Sequence, residues 1–411
     1  AIGAGWILSE ENFMKRDWLN LLKVRASYGI QGNIDKNTSP YVMGTYKVEQ
    51  ILPGNSENTI RVDSPPNDKL RWEKTQSVNA GLDFSVLDQA ISLGIDYYYR
   101  YSSDLIGTKM TPLETGFSST TVNWATLRNQ GIELSLTTRN IHTKNFTWYT
   151  NFNIGYNNNK ILKMSVPANQ TTPSLVGYPI GAIFAYPSAG LDSEGYPLFL
   201  NSAGEKVTAE QYFNMKNDGP DLTAEEHRAL FKYIGTTEPL YSGGFTNTFT
   251  IKRFEIAVNC IFNLGQYVQT QPSYSITSYD RGMNTNRDIL DRWTPSNPNG
   301  RFPALISDTK NGQSYRHNEY TAFNDLNYYN SMDTWVKKGN YMRIQSIRVG
   351  YKLPENWLKL FHMSSGSISL EGRNLFVVGS DYTNYLDPET MGNVYAQPIP
   401  KSVTFSLNLN F

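Results

Sequence analysis

Ten residues at one end, Ser402 to Phe411, constrain this chain more than any other stretch. Val403, Phe405, Leu407, Leu409 and Phe411 are apolar, while Ser402, Thr404, Ser406, Asn408 and Asn410 are polar. With 39% apolar residues overall, a window matches this pattern in one phase roughly once in a thousand. A period of two describes a strand with one apolar face. Ten residues is also about the length of a tilted membrane-spanning strand.

The pattern recurs along the chain. Leu22, Val24, Ala26 and Tyr28 alternate with polar or small residues, as do Val78, Ala80, Leu82 and Phe84. Ile91, Leu93, Ile95, Tyr97 and Tyr99 follow a tight link at Asp88-Gln89. Further runs are Ile132, Leu134 and Leu136; Phe146, Trp148, Phe152, Ile154 and Tyr156; and Phe245, Phe249 and Ile251. After a turn at Lys252-Arg253 come Phe254, Ile256, Val258, Cys260, Phe262 and Leu264. Met342 and Ile344 begin a run whose phase slips to Ile347, Val349 and Tyr351, which predicts a β-bulge near Gln345-Ser346. Ile368 and Leu370 follow, and with a partial strand ending near Trp6 the count is eleven.

The connections alternate in length. Short links fall near 87–90, 140–145, 252–253 and 353–366; long ones span about 31–75, 101–127, 158–240, 266–340 and 379–401. Outer-membrane barrels show this asymmetry, with short turns on one side and long loops on the other. No apolar run reaches the roughly 18 residues that a membrane helix needs. A spanning chain of this kind must then be a closed barrel, which satisfies every backbone group. Eleven is odd, whereas single bacterial barrels have even strand numbers, so at least one strand is expected outside this chain. The other reading is a soluble all-β protein whose strand aromatics face a core.

Lys+Arg and Asp+Glu both number 37, a balance that argues against general attraction to nucleic acid. The single cysteine, Cys260, allows no internal disulfide. The N-terminal residues lack the features of a signal peptide. His142, His227, His317 and His362 show no metal-ligand spacing, and no nucleophile elbow or phosphate-binding loop is present, so no enzyme activity, cofactor or metal is expected. Thr208 with Gln211 and Thr223 with Glu226 are capping-box patterns, predicting short helices near 209–215 and 224–233 inside the longest loop.

Several blocks then carry a resemblance. Leu22-Lys23-Val24-Arg25-Ala26-Ser27-Tyr28-Gly29-Ile30-Gln31-Gly32-Asn33 resembles the "LKxRASYGxxGN" strand of SusC/RagA-type TonB-dependent transporters. In family order follow Leu70 to Thr75, Asn129 to Leu134, Tyr178 to Gly181 with Tyr186, Asp291 to Pro295, Gly339 to Ile344, Gly372 to Phe376, and Pro400 to Phe405. The resemblance covers nearly the whole chain. It implies an all-β fold: a transmembrane antiparallel β-barrel with long extracellular loops, of which this chain supplies about eleven of 22 strands. On that reading residues 1–411 are the C-terminal half of one barrel domain, without the plug, TonB box, signal peptide and first half. The resemblance further implies a bacterial outer-membrane protein with its C-terminus at the periplasmic face. It implies a SusD-like lipoprotein lid, energy from TonB-ExbB-ExbD, contact with the lipid bilayer, and import of glycans or oligopeptides. A passive porin or adhesin-type barrel shares the strand pattern and is the alternative. Relatives often carry an Asp-rich calcium-type loop, but Leu191 to Gly195 and Asn217 to Asp221 lack its spacing, so no metal is expected there.

Two sets of residues are candidates for recognition. The polar strand face carries Arg25, Asp83, Asp96, Glu133, Glu255, Arg348, Glu371 and Arg373, expected to face the lumen and to pair with one another or with a plug. The long loops carry Trp124, Tyr186, Tyr267, Tyr274, Tyr279, Tyr315, Tyr328, Tyr329 and Trp335, whose rings suit a partner interface or stacking on ligand. The terminal aromatic Phe411 resembles a barrel-assembly signal.

Overall fold

The computed structural model describes residues 1–36, 38–117, 119–167, 169–216, 219–270, 272, 274–275, 284–305, 328–360, 362–379, 387–390 and 396–411. Eleven strands form one sheet: β1 Ile2–Ile7, β2 Leu19–Asn33, β3 Glu73–Val86, β4 Ile91–Met110, β5 Ser119–His142, β6 Phe146–Lys163, β7 Tyr241–Ile251, β8 Phe254–Leu264, β9 Tyr341–Lys352, β10 Ser365–Gly379 and β11 Ser402–Asn410. They are hydrogen-bonded strictly in chain order, and every pairing is antiparallel. The sheet does not close on itself: β1 and β11 are its edges.

The registers stack the alternating residues into rows on one face. One row runs Phe146, Ile251, Phe254, Tyr351, Ile368, Leu407 across six strands. Another runs Tyr97, Ile132, Tyr156, Tyr241, Leu264 across five. On β7 these rows are the ten residues from Tyr241 to Ile251 apart. At a rise of about 3.3 Å per residue and a barrel tilt of about 40°, that is a band about 25 Å tall. Aromatic residues mark both borders, with Tyr156 and Tyr241 rings 5.2 Å apart at one and Phe254 and Tyr351 rings 4.7 Å apart at the other. A band of this height between aromatic rows matches the lipid-facing girdle of outer-membrane barrels.

The expected bulge is present: the register skips Gln345 against both β8 and β10. The tight links are also present. Leu87, Asp88 and Gln89 all have positive φ, as does Lys252, which lets two-sided turns close with few residues. The link over 353–366 is less simple than expected, because it holds a helix, α3 (Glu355–Leu360). The expected loop 101–127 is mostly strand. β4 runs on to Met110 and β5 starts at Ser119, so this hairpin rises well past the ten or so residues that span a bilayer. Its polar Thr, Ser and Asn residues read as loop on composition but pair as cross-strand neighbours. Within the expected loop 31–75 an added hairpin pairs Met43–Leu52 with Asn55–Ser64.

Most buried apolar side chains lie outside the sheet. They gather in a module built from the β6–β7 and β8–β9 connections. Both predicted capping boxes form there, at the starts of α1 (Ala209–Tyr212) and α2 (Ala224–Ala229). Each helix is shorter than its predicted span. Short strands Ala182–Ala185 and Lys232–Thr236 pair beneath them.

Candidate functional site

All eight polar-face candidates lie on the face opposite the apolar rows, and seven of them form ion pairs. Arg25 stands opposite Gly81, which stands opposite Asp96 on the next strand. Its guanidinium bonds both Asp83 oxygens at 3.1 Å and approaches Asp96 at 2.6 Å. Gly81 provides the room: a Cβ there would lie 2.6 Å from Arg25 Cζ and 2.7 Å from Asp96 Oδ1. Glu255 lies 3.7 Å from Arg348, which faces Glu371 in register, and Arg373 donates to Glu371 at 2.8 Å. Glu133 has no ion pair among the described residues. These pairs are partly open to solvent, where such pairs contribute little, about 0–1 kcal/mol each. Their effect is to present a polar wall on which five carboxylates face three guanidiniums.

The aromatic candidates are placed differently. Tyr186, Tyr274, Tyr328, Tyr329 and Trp335 are buried in the core of the loop module, together with Phe199, Tyr212, Phe213 and Phe302. The Tyr186 ring meets Phe213, Phe231 and Tyr328 at centroid distances of 4.9, 4.2 and 5.7 Å. Burial pushes the Tyr186, Tyr212 and Tyr329 phenols well above their ordinary range. These five side chains therefore hold the module together. Sequence reading placed them on the surface because Tyr and Trp are enriched both at interfaces and in small cores. Trp124 and Tyr267 remain accessible. Lys163 Nζ sits 3.7 Å and Lys109 Nζ 5.1 Å from the Trp124 ring centroid. Tyr279 and Tyr315 fall outside the described residues, as do His317, Asn217 and Asp218.

The module binds the two connections together through main chain. Tyr186 N–H donates to Ser331 at 2.8 Å, Asp333 N–H returns to Tyr186 at 3.0 Å, and Ser188 N–H donates to the Asp333 carboxylate at 2.9 Å. Burial raises the Asp333 carboxyl above its usual range despite those donors. His227 bridges Thr171 O and Tyr328 Oη, each at 3.2 Å, as a structural link. The Asp192 carboxylate caps its own turn by accepting from Glu194 and Tyr196 N–H. Among the described residues no cluster of three metal-ligating side chains occurs.

One structural ion triad escaped the sequence reading. Arg343, on the polar side of β9, is 2% exposed and ion-paired to Asp387 and to Glu389 at 2.5 Å. Those carboxylates lie on the 3-10 turn Pro388–Thr390, so this ion triad ties the β10–β11 connection to the sheet. Burial alone would raise the Asp387 carboxyl, but hydrogen bonds from Arg343 and from Glu389 and Ile399 N–H hold it below the usual carboxylate range. The signal was available: Met342 and Ile344 belong to the apolar face, which places Arg343 on the polar one. Its partners, more than forty residues away, could not be read.

A cleft of about 500 Å³ opens where β5 and β6 pass beneath the module. Arg128, Tyr156, Asn158, Asn159, Lys160, Tyr178, Tyr233, Glu238 and Tyr267 line it. Its walls combine amide, phenol and charged groups without a nucleophile–base pair, so it is suited to recognition rather than bond-breaking.

Comparison with known proteins gives a consistent result. The family described as "TonB dependent receptor-like, beta-barrel" matches residues 2–375. TonB-dependent receptor P3 of Formosa agariphila is 28% identical over 404 residues, covering 93% of this chain and 37% of that protein. TonB-dependent receptor SusC of Bacteroides thetaiotaomicron is 27% identical over 434 residues, covering 100% of this chain and 39% of that protein. The RagAB peptide transporter superposes with a TM-score of 0.76 at 22% identity, covering 100% of this chain and 43% of that one, which speaks to fold alone. The chain thus spans about two fifths of the length of the relatives it matches.

Proposed function

The chain belongs to the TonB-dependent receptor-like β-barrel family, and from that premise we propose that it forms about half of a 22-stranded outer-membrane importer for glycans or oligopeptides. The observation that carries this reading is the meander itself. Eleven antiparallel strands carry continuous apolar rows on one face and ion-paired polar groups on the other. Open edges at β1 and β11 cannot stand in a bilayer, because their unpaired backbone groups have no water to bond. The remaining strands and a plug are supplied by chain beyond these residues. Arg25, Asp83, Asp96, Glu133, Glu255, Arg348, Glu371 and Arg373 line the lumen and meet that plug. The short links lie at the periplasmic side with Phe411, and the aromatic module is extracellular.

On this reading the module shapes a rim over which a surface lipoprotein closes. Transport draws on TonB-ExbB-ExbD through the plug. The experiment is uptake of fluorescent oligopeptides and oligosaccharides by cells carrying or lacking the complete protein, with and without TonB. Energised, TonB-dependent uptake of one class is expected. Uptake of small solutes indifferent to TonB would replace this reading with a passive porin.

A further inference from the structure

Just above the upper aromatic row, the outward face of β5 and β6 carries a cationic strip. Arg128 stands directly opposite Lys160, two rows beyond Ile132 and Tyr156 in the same outward phase. Like charges directly opposite on neighbouring strands repel. Tyr101 faces Arg128 from β4, and Asn158 lies one outward position below Lys160. Lys163, opposite Thr126, adds a third cation, held against Trp124 together with Lys109.

No carboxylate neutralises Arg128 or Lys160 among the described residues. Asp104, which lies near Lys163, is taken by Arg71 at 2.5 Å. Glu238 lines the same cleft and accepts from Asn159, and among the described residues no ion pair joins it to Arg128 or Lys160. Arg128 Nε is buried and has no hydrogen-bond partner among the described residues. Two opposed cations, an amide and phenols form an anion site rather than a solvated rim.

We propose that this strip binds the phosphate group of an outer-leaflet lipid. The inference rests on the reading above, that the apolar rows face lipid. Four residues along β6 separate Tyr156 from Lys160. That places the cations about 10 Å above the aromatic border, at headgroup level, with long side chains able to reach down. An acyl chain entering from the apolar band would bring its phosphate to Arg128 and Lys160, and a neighbouring sugar or glycerol would meet Tyr156 and Asn158.

The test uses the complete protein in phosphatidylcholine nanodiscs doped with either phosphatidic acid or diacylglycerol, with retained lipid counted by native mass spectrometry. Retention of phosphatidic acid but not diacylglycerol is expected. The pair Arg128→Gln and Lys160→Gln should weaken it by roughly tenfold or more, as loss of two surface cations does. The charge-keeping pair Arg128→Lys and Lys160→Arg should retain it, and both pairs are first checked for heat-modifiable migration as folded barrels. Equal retention of diacylglycerol, or undiminished binding by the neutral pair, overturns the proposal. Displacement by inorganic phosphate alone makes the source free phosphate and likewise overturns it. If the wild-type protein stays monodisperse without detergent, the lipid-facing reading itself falls. If it requires detergent but ignores the headgroup, only this inference falls.

Discussion

Replacing Arg343 by Met removes the cation that ties the β10–β11 connection to the sheet while keeping the bulk of its stem. The structure sets the scale of the loss. Arg343 and Asp387 are nearly inaccessible, at 2% and 6%, whereas Glu389 is 27% exposed and can turn toward water. Removing one partner of a buried pair costs about 3–5 kcal/mol, because the other charge is left without compensation. Asp387 keeps the N–H donors of Glu389 at 3.0 Å and Ile399 at 3.3 Å, so the low end, about 3 kcal/mol, is expected. That corresponds to a population of the opened connection raised roughly a hundredfold. Hydrogen exchange at the amides of Glu389, Thr390 and Ile399 in the complete protein reads this directly. A change of less than about threefold, the ordinary range for a surface substitution, would refute the reasoning. Acid should mimic the variant. Because the Asp387 carboxyl is held below its usual value, its contribution is fully present above the unfolded carboxylate value of about 4 and is lost as pH falls through the lower folded value. Wild type and Arg343→Met should therefore converge in strongly acidic buffer.

Three further outcomes are expected. Gly81→Val should force Arg25 away from Asp83 and Asp96 at a cost of about 1–3 kcal/mol, seen as a lower unfolding midpoint in urea with strand content retained. Tyr186→Ala should loosen the loop module by about 3–5 kcal/mol, making residues 182–231 protease-sensitive while the heat-modifiable barrel persists; unchanged digestion would argue against the aromatic core. Deleting Phe411, which is 85% exposed at the end of an alternating strand, should lower outer-membrane levels of the complete protein, and undiminished levels would dismiss it as an assembly signal.

The sheet was largely legible in the sequence because a strand's alternation is a local property. The Gln345 bulge could be seen as a phase slip, since one extra residue moves every later side chain to the other face. That Arg25, Asp83 and Asp96 share the polar face was legible for the same reason. The β4–β5 extension was not, because its Thr, Ser and Asn residues lack an apolar phase and are held by cross-strand bonds instead. α3 was hidden for a related reason: six residues are too few to show a helical period.

The sequence by itself determined which residues share a face, where the tight turns fall, and where Thr208 and Thr223 start helices, because all of these depend on neighbours within a few positions. Only the tertiary structure decided partners. It joined Arg343 to Asp387 in the β10–β11 connection, and it set Arg25 between two carboxylates over the space left by Gly81. It also turned five loop aromatics from surface candidates into a core. Whether a tyrosine stacks on a ligand or on another tyrosine depends on which distant segment folds over it, and no period along the chain records that.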